Sequence, residues 1–488
     1  MSRSAYIRLG GGIDLVTPPD QLSPGAALSC INYECPVSGG YRRIDGYSQV
    51  GDPVPGEGPT LGVATFADNI YAVRKDSGAN AATLYRYNAD SNAWEVTGAV
   101  HPGRHEFDEG NAYATEAGRA LYGVGGGKPF ELSLDGNFTL LTNAPSGANM
   151  IALHRNHLFL GFEQGSLQFS GIGDPANWDA ATGGAGEIGV GQTLTGLLRG
   201  TGGVLHVLCR DSIKTLRFNS AEESALETTV PTTGARKHSA QSLISPYFIN
   251  ERGITNLSAS DQFGDFTALQ PGKPVEPLFM GDGLANRVTA SSTSKRKAQY
   301  RVWFDNKTGM YLSPTGITVV QFPHQVEVAH TGELSNGEEQ LLFGDSDGNV
   351  YRLDHGDEFA GQPIRAYLTL AFNDLQSPSM RKRFRRAFWD IRSGTQATIS
   401  IQPDYDYGRT ETMRPRREFI DYLLGGGLWG VSNWNEFVWS VPVLGQEAME
   451  VAGTGTAINF AIYSESAGIA HEILGYDVHF DLRRQRRG

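Results

Sequence analysis

The sequence has few cysteines, no long apolar run and no signal peptide. Its 488 residues include only Cys30, Cys35 and Cys209. These are too few for a disulfide framework and are not spaced like zinc ligands, so we expect buried or inert thiols. No run approaches the ~18 apolar residues of a membrane span, so no membrane span is predicted. The start, Met1 to Tyr6, lacks the apolar core of a secretion signal, which predicts folding in a cytoplasm.

The sequence also has fewer basic residues than acidic ones. The formal net charge is −12, with 41 lysines and arginines against 53 acidic residues. A protein that coats nucleic acid or binds a membrane through basic clusters should be basic overall. The composition therefore argues against both classes.

Phosphate-loop, hydrolase and metal motifs are missing or defective. Gly123 to Lys128 hints at a phosphate loop, but Pro129 follows the lysine where Ser or Thr is needed, so we predict a hairpin loop. His154 and His157 could share a face on a helix, but they flank a strand, so they are not predicted to bind metal. His-Glu-x-x-His and Cys-x-x-Cys do not occur. One Gly-x-Ser-x-Gly does occur, Gly344-Asp345-Ser346-Asp347-Gly348, but it stands in a predicted hairpin turn between two strands, and a hydrolase nucleophile needs a turn from a strand into a helix.

One pair of carboxylates remains as a candidate site. Asp404 and Asp406 alternate on a predicted strand and could bind Ca²⁺ or serve as acid and base. A solvated strand end before Gly408 is the alternative. We therefore predict no catalytic, cofactor-binding or metal-binding residues, and we expect that the chain is not an enzyme.

The chain is rich in turn-forming and aromatic residues. Its 61 glycines and its 42 Phe and Tyr residues favour β structure with many turns. The stretch from Leu341 to Leu353 is typical: an apolar run ends at Gly344, Asp347-Gly348 supplies a tight turn, and an aromatic-rich strand follows.

Looser copies of this hairpin recur at intervals of about 37 to 55 residues. This spacing is typical of propeller blades. We predict an all-β chain with a β-propeller of six or seven blades over residues 59–362, and a row of β-sandwiches is the alternative. The other predicted hairpins are at 69–87, 120–132, 157–170, 204–216, 247–257 and 300–312.

Residues 1–58 are predicted to be an extended N-terminal arm, because glycine and proline interrupt every regular element. The arm has apolar and aromatic anchors, so we expect it to lie on its own domain or on a neighbouring subunit, and to matter more for assembly than for folding. The residues expected to serve assembly are Tyr33, Tyr41, Arg42, Arg43 and Tyr47.

Residues 363–488 are predicted to form a separate C-terminal antiparallel β-sandwich or barrel-like domain, because long stretches alternate apolar and polar residues. This part also holds clusters of basic residues, which are candidates for contact with an adaptor, a neighbouring subunit or DNA. They are Arg381, Lys382, Arg383, Arg385, Arg386, Arg483, Arg484, Arg486 and Arg487.

Strand alternation predicts Arg383 and Arg385 on an exposed face, with Phe384 and Phe388 in the core. Three interpretations of the exposed arginines stay open. They could protect an edge strand from aggregation, dock onto an acidic neighbour, or contact DNA.

The arm contains several short phrases: Gly11-Gly12, Leu22-Ser23-Pro24-Gly25, Asn32, and Gly39-Gly40-Tyr41-Arg42-Arg43-Ile44-Asp45-Gly46. Together they resemble the opening of a known family, the tail hub or nozzle proteins of short-tailed bacteriophages. The family often has proline where Asp45 stands. The stretch from Ser170 to Trp178 is similar to a propeller phrase of such proteins.

The resemblance implies a structural virion protein made in the host cytoplasm. A hexamer would form a tube between the head-to-tail adaptor and a distal plug, needle or fibre protein, and double-stranded DNA would pass through it without specific contacts. Two other hypotheses compete: a propeller that binds a host glycan or a protein, and a carbohydrate-active enzyme. Ser346-Asp347-Gly348 has the wrong spacing for the turn signature of propeller glycosidases.

Overall fold

The structure is a computed structural model that describes most of the chain. The described residues are 2–78, 80–113, 118–200, 202–219, 223–259, 266–393, 397–408, 418–422, 445–466, 468 and 470–485.

Six short strands precede the propeller and belong to the predicted arm. They are β1 (Ser2–Arg8), β2 (Gly11–Gly12), β3 (Ala27–Ile31), β4 (Tyr33–Glu34), β5 (Tyr41–Arg43) and β6 (Tyr47–Gln49).

The described part of the chain contains seven four-stranded antiparallel propeller blades. Blades 1 to 5 are separate sheets, and blades 6 and 7 belong to one 15-stranded sheet that continues into the C-terminal part of the fold. Blade 1 contains β7 (Glu57–Phe66), β8 (Asn69–Lys75), β9 (Ala82–Asn88) and β10 (Ala93–Val100). Blade 2 contains β11 (Glu106–Asn111), β12 (Arg119–Val124), β13 (Phe130–Ser133) and β14 (Phe138–Leu140). Blade 3 contains β15 (Met150–His154), β16 (His157–Phe162), β17 (Ser166–Phe169) and β18 (Gly186–Gly189). The short helix α1 (Ala180–Gly183) lies between β17 and β18.

Blades 4 to 7 continue in the same order along the chain. Blade 4 contains β19 (Leu194–Arg199), β20 (Val204–Cys209), β21 (Ile213–Phe218) and β22 (Ser224–Val230), and blade 5 contains β23 (Gln241–Ser242), β24 (Pro246–Asn250), β25 (Gly253–Ala259) and β26 (Phe266–Leu269). Blade 6 contains β27 (Val288–Ser294), β28 (Gln299–Phe304), β29 (Thr308–Ser313) and β30 (Gly316–Gln321). Blade 7 contains β31 (Val326–Glu333), β32 (Glu339–Asp345), β33 (Val350–Leu353) and β6. Helix α2 (Glu276–Asp282), flanked by 3₁₀ turns at Lys273–Val275 and Leu284–Arg287, links blades 5 and 6.

The predicted hairpins are the two middle strands of the blades. In blade 7, β32 and β33 pair around the turn that contains Gly348, whose φ is +85°. The carboxylate of Asp345 accepts the backbone N–H groups of Asp347 and Asn349 at 2.9 and 2.8 Å, which fixes the turn. The first strand of each blade lines the centre, and β31 lies beside β7, which closes the ring.

The strand that completes blade 7 comes from the other end of the propeller sequence. β6 pairs antiparallel with β33, Tyr47 opposite Leu353, so the ring closes between residues near 48 and residues near 352. This closure is non-covalent and depends on the packing of β6. The expected all-β propeller is therefore the fold of the chain, with seven blades in its described part.

A two-layered antiparallel sandwich completes the fold. Its strands are β34 (Glu358–Phe359), β35 (Gln362–Leu370), β36 (Met380–Arg392), β37 (Ala397–Tyr405), β38 (Glu418–Tyr422), β39 (Gly445–Gly455), β40 (Ile458–Ser466) and β41 (Glu472–Gln485). We call the order β39-β36-β41-β5-β4, with β1 also on β41, the outer sheet. The order β3-β35-β40-β37-β38 is the inner sheet, which continues into blade 6 through β30.

The sandwich core follows from strand alternation. Phe384, Trp389, Phe460 and Tyr476 point between the layers and are almost fully buried. Trp389 contacts the rings of Phe460 and Tyr476 at centroid distances of 4.9 Å. The same apolar cluster extends into blades 5 and 6, so propeller and sandwich share one continuous core.

The N-terminal segment, residues 2–49, differs from the predicted arm because its strands join both parts of the fold. β1 pairs with β41 along its whole length, from Ser2 opposite Asp481 to Arg8 opposite Gly475. β2 and β3 pair with β30 of blade 6, and β3 also pairs with β35 of the sandwich. Partners hundreds of residues away supply the hydrogen bonds that the glycine-rich segment cannot make internally.

Candidate docking surface on the outer sheet

The predicted basic cluster lies on β36. A β-bulge between Phe384 and Arg386 inserts one extra residue into the pairing with β39 and β41. Because a bulge shifts the alternation by one residue, Arg385 and Arg386 are both exposed, while Phe384 and Ala387 on either side are buried. We use the name arginine face for the exposed side chains of Arg381, Arg383, Arg385, Arg386 and Arg483.

Two members of the arginine face pair with acids on the neighbouring strands. Arg385 contacts Asp481 of β41 at 2.5 Å, and Arg386 lies 3.7 Å from Glu450 of β39. Exposed ion pairs of this kind are worth about 0–1 kcal/mol each, so they do not explain why the cluster exists. Five cations against two paired acids leave the face positively charged.

The arginine face is not on an edge strand, so the aggregation-protection interpretation is wrong. β36 pairs with β39 on one side and with β41 on the other. Its backbone groups are therefore already bonded and offer no template for another chain. Docking onto an acidic partner and contact with DNA are the two earlier interpretations that stay open.

Lys382 is corrected from a surface residue to a buried one. Its side chain is 0% exposed, and its Nζ donates to the backbone oxygens of Ser377, Met380 and Thr456 at 2.7, 3.1 and 2.7 Å. Burial lowers the pKa of its ammonium group. Lys382 therefore holds a loop and two strand ends together at the edge of the core.

Phe388 is a second correction. It was expected in the core with Phe384, but the bulge places it half-buried on the outer side. Its ring lies 5.0 Å from that of His479 on β41. The arginine face thus continues into an aromatic patch. Arg484 belongs to β41 but its side chain is outside the described residues, as are Arg486 and Arg487.

The residues expected to serve assembly in the arm are also corrected. Tyr33, Tyr41, Arg43 and Tyr47 are at most 1% exposed within the chain itself. The hydroxyl of Tyr33 lies 3.0 Å from His471 Nε2, and Tyr41 donates to the backbone oxygen of Gly25 at 3.1 Å. These side chains stabilise this chain's own core and offer no surface to a neighbour.

Arg42, the fifth of those residues, belongs to a buried cluster of charges that the sequence did not predict. It contacts Glu34 at 2.7 Å and Asp45 at 2.6 Å. Lys297 reaches the same two acids at 3.0 and 2.8 Å, and Asp354 at 3.2 Å. The cluster therefore ties the N-terminal segment to the hairpin of blade 6 and to the end of blade 7.

The fully buried Arg301 completes the cluster, with Asp354 at 2.7 Å. Burial alone would raise the pKa of Asp354, but Arg301 and Lys297 outweigh it and hold that pKa well below its usual range. Three cations and three acids balance each other here. The signal in the sequence is Arg301 itself, a charged residue inside the otherwise apolar strand Tyr300–Phe304.

The first strands of the blades surround a central cavity of about 1040 Å³. Asp108, in the wall of this cavity, is held by the chain itself. Asp108 pairs with Arg199 and accepts the backbone N–H of Leu153 at 2.7 Å. Burial raises the pKa of Asp108 to about 6 despite Arg199. Asp108 is thus bound by internal donors rather than poised against a reacting group.

The weak chemical motifs of the sequence have structural roles. Gly123 to Lys128 connects β12 and β13, which confirms the hairpin loop. Asp406 lies in a turn after β37, where it accepts the N–H and the hydroxyl of Thr456 at 2.6 and 2.7 Å, so it does not share a strand face with Asp404.

His154 and His157 lie directly opposite each other across the turn between β15 and β16, instead of flanking one strand. His157 packs against Phe169 and Phe218. Among the described residues, no three His, Cys, Asp or Glu side chains are grouped as metal ligands. Likewise, the described part of the chain contains no helix that is long and apolar enough to cross a membrane.

Comparisons with known proteins found structural matches of low sequence identity. No protein-family model and no curated protein sequence matches this chain. Among solved structures, Chaetomium thermophilum Raptor matches at 10% identity and a TM-score of 0.44, over 64% of this chain and 30% of its own length.

Two smaller structures are also similar. Virginiamycin B lyase from Staphylococcus aureus matches at 11% identity and a TM-score of 0.39, over 60% of this chain and 94% of the lyase. BBS1N, solved in complex with ARL6DN, matches at 13% identity and a TM-score of 0.40, over 64% of this chain and 96% of its own.

Proposed function

We propose that this chain is a non-enzymatic structural protein of a phage virion, the tail hub or nozzle of a short-tailed bacteriophage. In this role copies of the chain form a tube between the head-to-tail adaptor and the distal tail proteins, and DNA is retained and ejected through the tube. The expected location is the phage tail, after synthesis in the host cytoplasm.

The observation that carries the proposal is the position of the phrases that resemble the hub family. They lie at the seam where the N-terminal segment joins blade 6, blade 7 and the sandwich. Asn32 donates to Arg365 O of the sandwich at 2.7 Å, and its Oδ1 accepts the N–H of Gln321 of blade 6 at 2.8 Å. One side chain of the phrase therefore joins two parts of the fold.

Two glycines of the phrases are required by close approach of backbones. A Cβ on Gly12 would lie 2.4 Å from Ile317 O of blade 6. A Cβ on Gly46 would lie 2.0 Å from Glu358 O, where the chain passes from blade 7 to the sandwich. Since the phrases encode this seam, a shared phrase is a reason to expect the same combination of segment, propeller and sandwich in the hub family.

The rigidity of that combination suits a structural part of a virion. Propeller and sandwich share a core and a balanced buried charge cluster, so they should move as one body. The arginine face then presents fixed charges to a partner. A partner that is recognised by fixed, complementary charge gains specificity and association rate.

Electron microscopy of the purified full-length chain tests the proposal. Closed rings or short tubes are expected, alone or after mixing with the head-to-tail adaptor. A chain that stays monomeric in both preparations would contradict a tail hub. The Asn32→Ala variant should give fewer closed particles than the wild type, because the substitution loosens the seam without changing the surface charge.

A second candidate function is a propeller that recognises a host glycan or a protein. The central cavity of about 1040 Å³, with the half-buried Phe107 in its wall, favours this candidate. Saturable binding on a glycan array, reduced by Phe107→Ala, would support it over the hub. Glycan binding together with the absence of rings would favour the recognition propeller over the tail hub.

A further inference from the structure

The charge of the chain is unevenly distributed between its two ends. Residues 363–488 carry 15 basic and 14 acidic side chains, whereas residues 1–362 carry 26 basic and 39 acidic ones. The whole acid excess therefore belongs to the propeller and the N-terminal segment, while the outer sheet presents the arginine face. A surface and its electrostatic complement are both present on one chain.

The acid excess is concentrated in blades 2 and 3. Between residues 129 and 198 there are six acidic side chains and a single basic one, Arg155. Four of the acids are exposed, and we call them, with the half-buried Glu131, the acidic face: Glu131, Asp135, Asp174, Asp179 and Glu187. Burial raises the pKa of Glu131, whose carboxylate accepts the hydroxyl of Tyr113 at 2.9 Å.

Exposed apolar side chains accompany both faces. Ile172 is 69% exposed beside Asp174, and Leu134 and Leu140 are each 40% exposed in blade 2. On the outer sheet, Tyr6 is 55% exposed and Phe388 is half-buried. An interface between these two faces would bury apolar contacts inside a charged rim, as stable interfaces do.

The two faces lie on opposite sides of the molecule. The sandwich is joined to blade 6 through β3 and to blade 7 through β34, and blade 3 lies directly across a seven-bladed ring from those blades. The arginine face of a chain therefore cannot reach its own acidic face. Each face is free to contact a different neighbour.

We propose that copies of this chain associate head to tail, with the arginine face of one copy seated on the acidic face of blades 2 and 3 of the next. Joining two different surfaces is a heterologous contact, which yields closed rings if the rotation closes and open filaments if it does not. The inference rests on the proposed hub function in that both require self-assembly, and it names the surfaces that join.

Nucleic acid is the less favoured occupant of the arginine face. The chain is acidic overall, with a formal net charge of −12, so a polyanion approaching the sandwich is repelled by the rest of the molecule. A second copy can place its acidic face on the arginine face, while its other acidic side chains stay far from the contact.

Charge reversal on the full-length chain tests the inference, with sedimentation velocity at about 50 mM and about 500 mM salt, where screening differs severalfold. The variant with Arg381→Glu and Arg383→Glu should raise the dissociation constant between copies at least about tenfold at low salt. The variant with Asp135→Lys and Glu187→Lys should do the same from the other side. High salt should weaken the wild type in the same way.

Rescue separates specific docking from general repulsion. A chain with all four reversals restores opposite charges across the contact and should regain association to within about threefold of the wild type. The matched control reverses two exposed arginines outside the arginine face, Arg210→Glu and Arg296→Glu, and should associate like the wild type.

The outcomes distinguish the inference from the hub function. Rings that survive both reversals overturn the inference and leave the hub proposal standing. Salt-dependent chains that are lost on reversal and rescued by the swap, but never close, support the inference and contradict the hub. Reversal that abolishes binding of a short DNA duplex without altering self-association would assign the arginine face to nucleic acid and overturn the inference.

Discussion

Replacing Tyr47 by alanine should open the propeller, because this residue anchors the strand that closes the ring. Tyr47 is 1% exposed and lies on β6, the N-terminal strand of blade 7. Its ring contacts five other aromatic rings at centroid distances from 4.9 to 5.8 Å; they belong to Phe322, His324, Phe343, Tyr351 and Phe359. Its hydroxyl lies 2.8 Å from His324 Nδ1.

These contacts set the size of the effect. Truncation of a buried aromatic side chain to alanine costs about 3–5 kcal/mol, because apolar burial is lost and a cavity remains. Loss of the hydroxyl alone should cost only about 1 kcal/mol, the net value of one hydrogen bond. Tyr47→Phe is therefore the matched control, since it keeps the ring and removes the bond to His324.

Urea unfolding and hydrogen exchange measure the two parts of this prediction. Tyr47→Ala should lower the free energy of unfolding by about 3–5 kcal/mol and Tyr47→Phe by about 1 kcal/mol. Because β6 closes the ring, exchange should rise in β31–β33 and also in blade 1. A loss below about 1 kcal/mol for the alanine variant, or an exchange increase confined to residues 47–49, would refute closure by β6.

Three further predictions concern the seam and its pH dependence. The Asn32→Ala substitution should lower the free energy of unfolding in urea by about 2–3 kcal/mol, since it loses two hydrogen bonds and keeps a backbone φ of +58° that alanine disfavours. An effect near zero would mean that the side chain of Asn32 does not stabilise the seam. Gly46→Ala should abolish soluble folded protein, because the new Cβ would meet Glu358 O, whereas Gly189→Ala, which meets nothing within 4 Å, should fold normally in the same expression test. Burial lowers the pKa of His471 to about 3, so as the pH falls below about 6.5 the imidazole is protonated in the unfolded chain but not in the folded one, and the folded state loses stability. The free energy of unfolding at about pH 4.5 should lie at least about 2 kcal/mol below its value at pH 7. An unchanged value would contradict a buried neutral imidazole.

The propeller could be predicted because its signals are local. Each blade has a central hairpin whose turn residues and aromatic strands stand together in sequence, as in Leu341–Leu353. The outermost strands of the blades carry weaker signals, since β10 has no buried residue. The expected blade number therefore came from the hairpins alone, and seven were found in the sequence.

The N-terminal strands could not be predicted in the same way. They are two to seven residues long, and their partners lie far along the chain, as Ser2 opposite Asp481 shows. Glycine and proline made the segment look like an arm, although Gly12 and Gly46 are there because other backbones pass within 3 Å of where a Cβ would be. Composition alone does not distinguish a flexible glycine from a crowded one.

On the candidate surface, alternation predicted the exposed Arg383 and Arg385 and the buried Phe384. It failed at Phe388 because the bulge after Phe384 shifts the phase by one residue. Alternation also puts Lys382 on the buried side with Phe384, but its charge suggested a surface residue, because a buried ammonium needs carbonyl acceptors from a loop and from the β39–β40 turn, and no local pattern shows them. Bulges and caps of this kind are set by tertiary contacts.

The pairing of β1 with β41 has a consequence for biosynthesis. β1 finds its partner only after the propeller and residues 475–481 have emerged from the ribosome. β6 must likewise wait for β33 before the ring closes. Contacts between such distant residues form slowly, and the nascent chain meanwhile exposes unpaired strands. The ring and the outer sheet should therefore be completed only after β33 and β41 have been made, and a chain that stops before them should be recognised by the cell as unfolded rather than stored as a stable fragment.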